Sequence, residues 1–366
     1  MPALPRLSPA QAEALARRHY GVRGTAQRQT SEHDDAFRLV ADDGSAWFLK
    51  ISVTDGHAGG GPEAPVSFQT AVLKHLAATA PDLPVQRVVC ALDGRPEVSV
   101  AENGHYRLVR MTSWLDGALL SRTDSSAGLR RDLGATLGRL SVALRGFSHP
   151  GALRTHPWDL QQLGRLRGLL AELPGDAVLP EVAAVLNDTV LGAAGSVPGG
   201  VRAGLECCLD RFESVVRPRL SRVPVQVIHS DFHGENLLCD GGRITGILDF
   251  GDALTGPVAM DVAVAACYQL GRGRDVLGPA LDVVAGYHGT DPLGDADLEL
   301  IADFLVGRIA ARIIVSQWNA VREPANRGYL LRRTPQAIEQ FTALRLLSPE
   351  DIVRRLRAAV SLRGAQ

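Results

Sequence analysis

The sequence contains very little lysine: Lys50 and Lys74 are the only lysines among its 39 basic residues, and all the others are arginine. Acidic and basic residues nearly balance, with a formal net charge of −1. A chain without a strong excess of positive charge lacks the usual electrostatic feature of nucleic-acid-binding or membrane-surface proteins. We therefore expect neither as a main partner, and the scarcity of lysine marks both lysines for closer inspection.

Cysteine is also scarce. The five cysteines are odd in number and form no CxxC pair, which argues against both a disulfide framework and a zinc site. No apolar run approaches the length of a membrane span, and residues 1–22 lack the basic and apolar segments of a signal peptide. We therefore expect a cytoplasmic protein, and its 366 residues are enough for two domains.

The first third of the chain has the pattern of an antiparallel sheet with one helix. The strand-like runs AFRLV (36–40) and AWFLKISV (46–53) flank Asp43-Gly44, a pair typical of hairpin turns. Hydrophobic periodicity predicts a helix over 66–79. Further strands are predicted at 85–92 and 105–111. Lys50 therefore falls within a strand of this sheet.

Long amphipathic helices are predicted in the rest of the chain. Apolar residues recur at helical spacing in 126–146 and 201–220, and helical patterns return from 258 onward with a break at 289–295. The segment 192–200 is predicted to be a loop. We therefore expect an α+β fold with two lobes. The predicted divisions are a nucleotide-binding lobe at 1–111, an interlobe linker at 112–117 and a helical lobe at 118–366.

One short stranded segment interrupts the helical lobe. An apolar run precedes HSDFHGEN (229–236), and after a Gly-Gly turn the chain returns as ITGILDFGD (244–252). Two short strands would therefore carry Asp231 and Asn236 at the end of one and Asp249 at the end of the other. Polar groups this dense beside an apolar core require partners, because burying them unpaired is costly.

These residues match the requirements of phosphoryl transfer. A nucleoside triphosphate needs a divalent cation, which prefers carboxylate and amide oxygens, and Asp249 and Asn236 fit that role. A second carboxylate must orient the acceptor hydroxyl and accept its proton, which fits Asp231. A lysine from another lobe must neutralise the phosphates, which fits Lys50. An upstream strand lysine, HxDxxxxN and DFG occur in this order in protein kinases.

The sequence resembles the aminoglycoside phosphotransferase and choline-kinase-like superfamily over nearly its whole length. HSDFHGEN resembles the catalytic loop of that superfamily, with serine in place of the commoner glycine, and ILDFGD resembles its metal-binding motif. The segment SEHDDAF (31–37) is similar to the hydroxylysine-kinase-like branch. The resemblance implies a protein-kinase-like fold with Asp231 as catalytic base, Asn236 and Asp249 as magnesium ligands and Lys50 as the phosphate-binding lysine.

The resemblance also implies a nucleotide-binding role for the segment after the sheet. MTSWLDGALLS (111–121) resembles the interlobe linker. By that match, the backbone of Ser113 and Leu115 would bind the purine, and Thr112 would lie beside it. Ser31 would belong to the loop that covers the phosphates.

Two features depart from the superfamily pattern. The loop expected to cover the phosphates has no glycine and carries Glu32, Asp34 and Asp35, which would lie near phosphate groups of the same charge. The helix expected to supply a glutamate to pair with Lys50 has Gln69 at that position. A glutamine can position a lysine by a hydrogen bond but does not share its charge.

The resemblance implies a small-molecule kinase that uses Mg²⁺ and ATP or GTP to phosphorylate a hydroxyl group of a hydroxy amino acid, an amino sugar or an antibiotic. Antibiotic inactivation is one such activity. Residues 301–366 contain eleven arginines and five acidic residues, which favours an acceptor with an acidic group. Two alternatives remain: a metal-dependent hydrolase that uses the HSDFH histidines, and a catalytically silent kinase-like binding protein.

Overall fold

The computed structural model describes residues 5–31, 34–54, 65–102, 105–184, 186 and 200–361. The chain divides into two compact units. The first unit comprises Met1–Ala118, His149–Ala152 and Thr245–Gly251. The second comprises Leu119–Ser148, Leu153–Ile244 and Asp252–Gln366. The segment that contains Asp249 therefore belongs to the first unit, although it follows much of the second unit in the sequence.

The first unit is an antiparallel sheet with two helices. The helices are α1 (Pro9–Tyr20) and α2 (Pro65–Thr79). The strands are β1 (Thr25–Gln29), β2 (Asp35–Val40), β3 (Ala46–Thr54), β4 (Val88–Val89), β5 (Glu97–Glu102) and β6 (His105–Ser113). The strand order is β1-β2-β3-β6-β4, and β5 also pairs with β6.

The two faces of this sheet have different side chains. Phe37, Leu49 and Val109 are fully buried on one face, where they belong to the same core cluster as residues of α1. Side chains alternate along a strand, so Lys50 points to the other face. Lys50 on β3 lies directly opposite Arg110 on β6, and directly opposed residues share a face. One face therefore forms a core and the other carries two cations.

Most elements of the first unit were predicted, with two corrections. The predicted strand at 85–92 is only the two-residue β4. The reason is that neighbouring backbone groups bond elsewhere: Ala91 N–H donates to the Arg95 carbonyl, and Leu92 N–H to that of His19. Strand β5 was not predicted, although its valines alternate with polar residues.

The second unit is mainly helical. Its helices are α3 (Ala127–Leu144), α4 (Leu166–Ala171), α5 (Pro180–Ala183), α6 (Gly200–Arg211), α7 (Arg217–Leu220), α8 (Val258–Cys267), α9 (Gly278–His288), α10 (Asp295–Arg322), α11 (Arg327–Leu331), α12 (Thr334–Leu344) and α13 (Pro349–Ser361). The later strands are β7 (Ala118–Leu119), β8 (Val225–Ile228), β9 (Leu237–Asp240), β10 (Arg243–Ile247) and β11 (Leu254–Pro257). Strands β8 and β11 are antiparallel partners.

The helical predictions agree with these elements. The segment 126–146 forms α3, and 201–220 forms α6 and α7 with a π-helical turn between them. The break at 289–295 separates α9 from α10. The predicted loop at 192–200 lies outside the described residues except for Gly200, where α6 begins. None of the helices in the described ranges combines the length and apolar character needed to span a membrane. The predicted α+β class, with an antiparallel sheet followed by a mostly helical region, is confirmed.

Candidate active site

Lys50 lies in the first unit between two carboxylates. Its Nζ is 3.0 Å from Oδ2 of Asp34 and 3.8 Å from Oδ1 of Asp249. Asp34 directly precedes β2, and Asp249 belongs to the DFG segment. The side chain of Lys50 is 17% exposed, so its amine is partly shielded from water. The structure thus brings together Lys50 and Asp249, two residues predicted to act on the same triphosphate.

The backbone around Asp249 and the glycine two residues later orient the Asp249 carboxylate. Asp249 has a left-handed backbone conformation with a φ of +48°. Its Oδ1 accepts a hydrogen bond of 2.9 Å from the Gly251 N–H. A Cβ atom at position 251 would lie 2.7 Å from that oxygen, so any other residue there would shift the Asp249 carboxylate. The result is an oriented, half-exposed carboxylate that can bind a cation.

Gln69 does not bond Lys50. It lies on α2, and its Oε1 accepts a hydrogen bond of 2.8 Å from Nη2 of Arg110. Arg110 is buried, and within the described ranges its Nη1 has no hydrogen-bond partner. Burial lowers the pKa of Arg110, while nearby carboxylates, led by Glu97, oppose this effect. The amide that replaces the expected glutamate therefore holds an arginine instead of Lys50.

Asp35 does not lie near Lys50. It is buried on the opposite face of the sheet. Its Oδ2 accepts a hydrogen bond from the Leu7 N–H at 2.9 Å, and its Oδ1 accepts one from Arg28 Nη1 at 2.8 Å. The expectation that Asp35 would approach the phosphates is therefore wrong, because the alternation of side chains along β2 directs it away from them.

The loop between β1 and β2 is partly ordered by Ser31. Its Oγ accepts a hydrogen bond of 3.4 Å from the Asp34 N–H. Ser31 therefore lies next to the carboxylate that pairs with Lys50. Glu32 is outside the described residues.

The predicted purine-binding residues lie at the end of β6 and directly after it. Thr112 shares a face with Lys50 and is buried, and within the described ranges its Oγ1 has no partner. The Ser113 N–H donates to the Arg87 carbonyl at 2.8 Å, so this N–H is already used. Leu115 follows in an irregular segment. The Ser113 carbonyl accepts a long hydrogen bond of 3.4 Å from Gln86 Nε2, and its second lone pair is the better candidate for contact with a purine amine.

Asp231 follows strand β8 in the second unit, and both of its carboxylate oxygens have partners. Oδ1 accepts a hydrogen bond of 2.7 Å from Arg308 Nη2. Oδ2 accepts one of 2.8 Å from Asn236 Nδ2 and lies 3.0 Å from His233 Nε2. The Asp231 side chain is 20% exposed. These contacts fix the orientation of the carboxylate while part of it remains accessible.

The charges around Asp231 favour its ionised form. Burial by itself raises the pKa of Asp231, but His233 and Arg308 outweigh that effect and hold this pKa well below its usual range. Asp231 is therefore a weak base. In phosphoryl transfer the protein mainly positions the reactants and stabilises charge, so a weak base suits the orientation of an acceptor hydroxyl.

Asp261 and His229 hold the loop that carries Asp231. The Asp261 carboxylate, on α8, accepts hydrogen bonds from the N–H groups of His229 at 2.9 Å and Ser230 at 2.8 Å. His229 is fully buried, and its Nδ1 accepts from the Asp231 N–H at 3.3 Å. Ser230 has a φ of +66°, a conformation that glycine adopts without strain. This explains why glycine is the commoner residue there, and the hydrogen bonds show that His229 and Asp261 order the loop.

Several side chains near Asp231 were not predicted. Arg308, on α10, is almost completely buried, and it also donates a hydrogen bond of 3.2 Å to the Tyr268 hydroxyl. The Tyr268 ring stacks on His233 with a centroid distance of 4.3 Å. Arg308 lies 77 residues after Asp231, so no local motif contains both. The only sequence signal was an arginine among apolar residues of a predicted helix.

The predicted metal ligands supply oxygen atoms of the right kind. Asn236 Nδ2 donates to the main-chain carbonyl of Asp231 at 3.0 Å and to its Oδ2 at 2.8 Å, so the amide oxygen is the atom that could bind a cation. Asp249 supplies its half-exposed carboxylate. Amide and carboxylate oxygens are hard ligands of the kind that Mg²⁺ prefers. The chemistry of these two residues therefore fits a magnesium ion.

The histidines of HSDFH do not form the metal site that a hydrolase would need. The Nδ1 atom of His229 accepts a backbone N–H, and Nε2 of His233 is occupied by Asp231. In the part of the chain that the structure describes, no three or more His, Cys, Asp or Glu residues are grouped so as to hold a metal ion. These contacts give the two histidines structural and positioning roles.

Known proteins share the sequence pattern and the fold. The family model described as "Phosphotransferase enzyme family" matches residues 26–298. The hydroxylysine kinase of Danio rerio is 23% identical over 365 residues, which cover 96% of this chain and 95% of that protein. The homoserine kinase of Gluconobacter oxydans (strain 621H) is 25% identical over 235 residues, which cover 63% of this chain and 65% of that protein.

Solved kinase structures are similar in fold. Amicoumacin kinase hAmiN, in complex with AMP-PNP, Ca²⁺ and Ami, has a TM-score of 0.66 and 18% identity, covering 94% of this chain and 97% of that chain. The microcompartment-associated aminopropanol kinase has a TM-score of 0.63 and 20% identity, covering 96% and 99%. Because the family model covers most of the sequence, the chain belongs to the phosphotransferase enzyme family, as a small-molecule kinase that phosphorylates hydroxyl groups.

Proposed function

We propose that the protein transfers the γ-phosphate of ATP or GTP to the hydroxyl group of a small hydroxy amino acid. The observation that carries this proposal is the convergence of Lys50 and Asp249, whose charged groups are 3.8 Å apart. Phosphoryl transfer needs a cation for the phosphates beside a ligand for the metal ion, and these residues supply both.

The nucleotide-binding part of the proposal concerns residues 1–111 and the linker at 112–117. Lys50 binds phosphate oxygens, and Ser31 supports the loop that covers them. The main chain of Ser113 and Leu115 binds the purine, with Thr112 beside it. The purine contacts are made by backbone, so the side chains at these positions do not indicate whether the donor is ATP or GTP.

The reacting hydroxyl is oriented by Asp231 in the helical lobe, residues 118–366. Asp231 accepts a hydrogen bond from the acceptor hydroxyl and then takes its proton as the phosphoryl group is transferred. Arg308 and His233 keep it ionised and correctly directed. Asn236 and Asp249 are the residues that would hold a magnesium ion, and that ion would offset the charge of the phosphate oxygens.

A hydroxy amino acid is the favoured acceptor for two reasons. Two of the relatives are named for hydroxylysine and homoserine, which both carry a side-chain hydroxyl and a carboxylate. In addition, residues 301–366 are rich in arginine and poor in acidic residues. That balance suits an acceptor with a carboxylate better than a polycationic amino sugar.

The proposal is tested by a nucleotide-consumption screen. The purified protein is incubated with hydroxy amino acids, amino sugars and antibiotics, with ATP and GTP in parallel and with Mg²⁺ or EDTA. We expect magnesium-dependent turnover with a hydroxy amino acid and formation of its O-phosphate. Turnover only with amino sugars or antibiotics would contradict the acceptor assignment, whereas nucleotide binding without any turnover would support a silent binding protein.

Asp231→Asn and Asp249→Ala separate the proposed roles of these two residues. Asp231→Asn should bind Mg²⁺-nucleotide and turn over poorly. Asp249→Ala should lose metal-dependent nucleotide binding, which calorimetric titration measures. If both variants remain fully active, the assignment of roles is wrong.

A further inference from the structure

Arg312 is a buried cation that has no carboxylate partner among the residues that the structure describes. It lies on α10, and its side chain is 8% exposed. Across the described ranges, no Asp or Glu oxygen lies within ion-pair distance of its guanidinium, and its Nη1 is 4.0 Å from the Cys267 sulfur. Burying a charge is costly, so a buried cation normally has a counter-charge. A bound anion would supply the one that is missing here.

Arg312 is connected to the carboxylate of Asp231 through the rings of Tyr268 and His233. Its Cζ is 4.6 Å from the centroid of the Tyr268 ring. Tyr268 also stacks on His233, and His233 Nε2 is 3.0 Å from Oδ2 of Asp231, the proposed base. Arg312 also lies one helical turn after Arg308, and residues four apart on a helix are about 6 Å apart on one face.

Its neighbour on the same helix, Arg308, has a different role. Arg308 Nη2 is 2.7 Å from Asp231 Oδ1, so the charge of Arg308 is already compensated. Its contact with Asp231 also makes it part of the support for the base. Of these two adjacent buried arginines, Arg312 is therefore the one whose charge is available to a ligand.

We propose that Arg312 binds a carboxylate of the phosphate acceptor. This inference rests on the proposed function and specifies how its acceptor is recognised. A guanidinium can bind a carboxylate through two parallel hydrogen bonds, which fixes both position and orientation. With the carboxylate at Arg312 and the hydroxyl at Asp231, the acceptor spans about one helical turn. The ligand class is thus a hydroxy acid or hydroxy amino acid whose hydroxyl lies a few carbon atoms from its carboxylate.

The test uses acceptors that differ only in the carboxylate. Suitable pairs are L-homoserine with 3-amino-1-propanol, L-threonine with 1-amino-2-propanol, and 5-hydroxy-L-lysine with 1,5-diamino-2-pentanol. The value of kcat/KM is measured for both members of each pair with wild type, Arg312→Met and Arg312→Lys. Both acceptors are measured on one protein sample, so partial misfolding of a variant lowers both values together and leaves their ratio unchanged.

We expect wild type to prefer the carboxylate-bearing member of a pair by about 10- to 100-fold, the effect of a hydrogen bond to a charged group. Arg312→Met should remove this preference by lowering kcat/KM for the carboxylate-bearing acceptor alone, mainly through KM. Arg312→Lys should retain part of it. The control is Arg322→Met, because Arg322 lies on the same helix and stacks on Trp318, with its Cζ 3.7 Å from the ring centroid. Arg322→Met should leave kcat/KM unchanged for both members of each pair.

Two results would overturn the inference alone: equal loss on both members of a pair, or a preference that survives in Arg312→Met. The first would indicate a purely structural role for Arg312. Turnover restricted to acceptors without a carboxylate would overturn the inference together with the proposed hydroxy amino acid acceptor. Absence of turnover with every acceptor would overturn the proposed function and this inference with it.

Discussion

The ion pair between Asp34 and Lys50 should oppose nucleotide binding. Lys50 Nζ is 3.0 Å from Asp34 Oδ2, and the proposed function requires the same amine to bind phosphate oxygens. A triphosphate must therefore draw Lys50 away from Asp34 and approach a carboxylate of its own charge sign. Asp34→Asn keeps the size of the side chain and removes its charge. We expect this variant to bind the triphosphate more tightly than wild type.

The expected gain follows from the geometry of the pair. Two unit charges at this distance attract by about 5 kcal/mol at an effective dielectric constant of about 20. The side chains of Lys50 and Asp34 are 17% and 22% exposed, so desolvation and screening offset most of that attraction. A net effect of about 1–2 kcal/mol remains, which corresponds to about 5- to 30-fold in affinity.

The assay is calorimetric titration with a non-hydrolysable triphosphate and Mg²⁺, with adenosine as the uncharged comparison. Adenosine affinity should be the same in wild type and Asp34→Asn. The control is Asp42→Asn, because Asp42 is exposed in the β2–β3 turn and its replacement makes the same change of net charge. It should have little effect. Weaker triphosphate binding by Asp34→Asn would identify Asp34 as a metal ligand, and unchanged binding would refute the phosphate role of Lys50.

Four further predictions concern the two parts of the candidate site. Asp231→Asn should lower kcat by about 100- to 10,000-fold, measured at saturating nucleotide, while titration finds nucleotide affinity nearly unchanged. Arg308→Gln removes a cation that lowers the pKa of Asp231, so Asp231 should become protonated at a higher pH. In pH–rate profiles, the loss of kcat on acidification should therefore begin at a higher pH than in wild type. An unchanged acidic side of the profile would contradict the role of Arg308. Ser230→Gly relieves the strain of a left-handed backbone conformation and removes a buried hydroxyl that has no partner in the described ranges. Chemical denaturation should therefore give a free energy of unfolding about 1 kcal/mol higher than that of wild type. Gln69→Glu places a carboxylate beside Arg110 and should weaken triphosphate affinity by about 3- to 10-fold without weakening adenosine binding. Tighter triphosphate binding would show that the charge of Arg110 does not attract the phosphates.

The long elements of the fold could be predicted from the sequence because their periodicity is strong. Helices α2 and α3 both coincide with predicted segments, because buried apolar residues recur in them every three to four positions. Strand β5 was missed because short strands depend on their partner: its six residues are held by pairing with β6. Likewise, the run at 85–92 is apolar enough for a strand, but its last residues donate hydrogen bonds to Arg95 in the following turn and to His19 of α1, and β4 has only two residues. The contact with His19 leaves no local signal in the sequence.

The candidate site divides in the same way. Asp231 and Asn236 belong to one short motif, because the loop between two strands brings their side chains into direct contact. Arg308 reaches the same carboxylate region from α10, and Tyr268 reaches it from the turn after α8. The spacing of these two residues in the chain does not indicate the contact. The face of β2 was another missed feature: Asp34 and Asp35 are adjacent in sequence, yet they point to opposite faces of the sheet.

Gln69 and Arg110 together depart from the expected pairing of a helix glutamate with Lys50. In the expected pattern, a glutamate on the helix would pair with Lys50 and hold it. Here Arg110 lies opposite Lys50 in the sheet and takes the contact with α2, while Asp34 pairs with Lys50. A glutamate at position 69 would meet the nearer arginine and neutralise it. A neutral amide holds Arg110 and preserves its charge, so the face of the sheet retains two cations for a ligand with several negative charges.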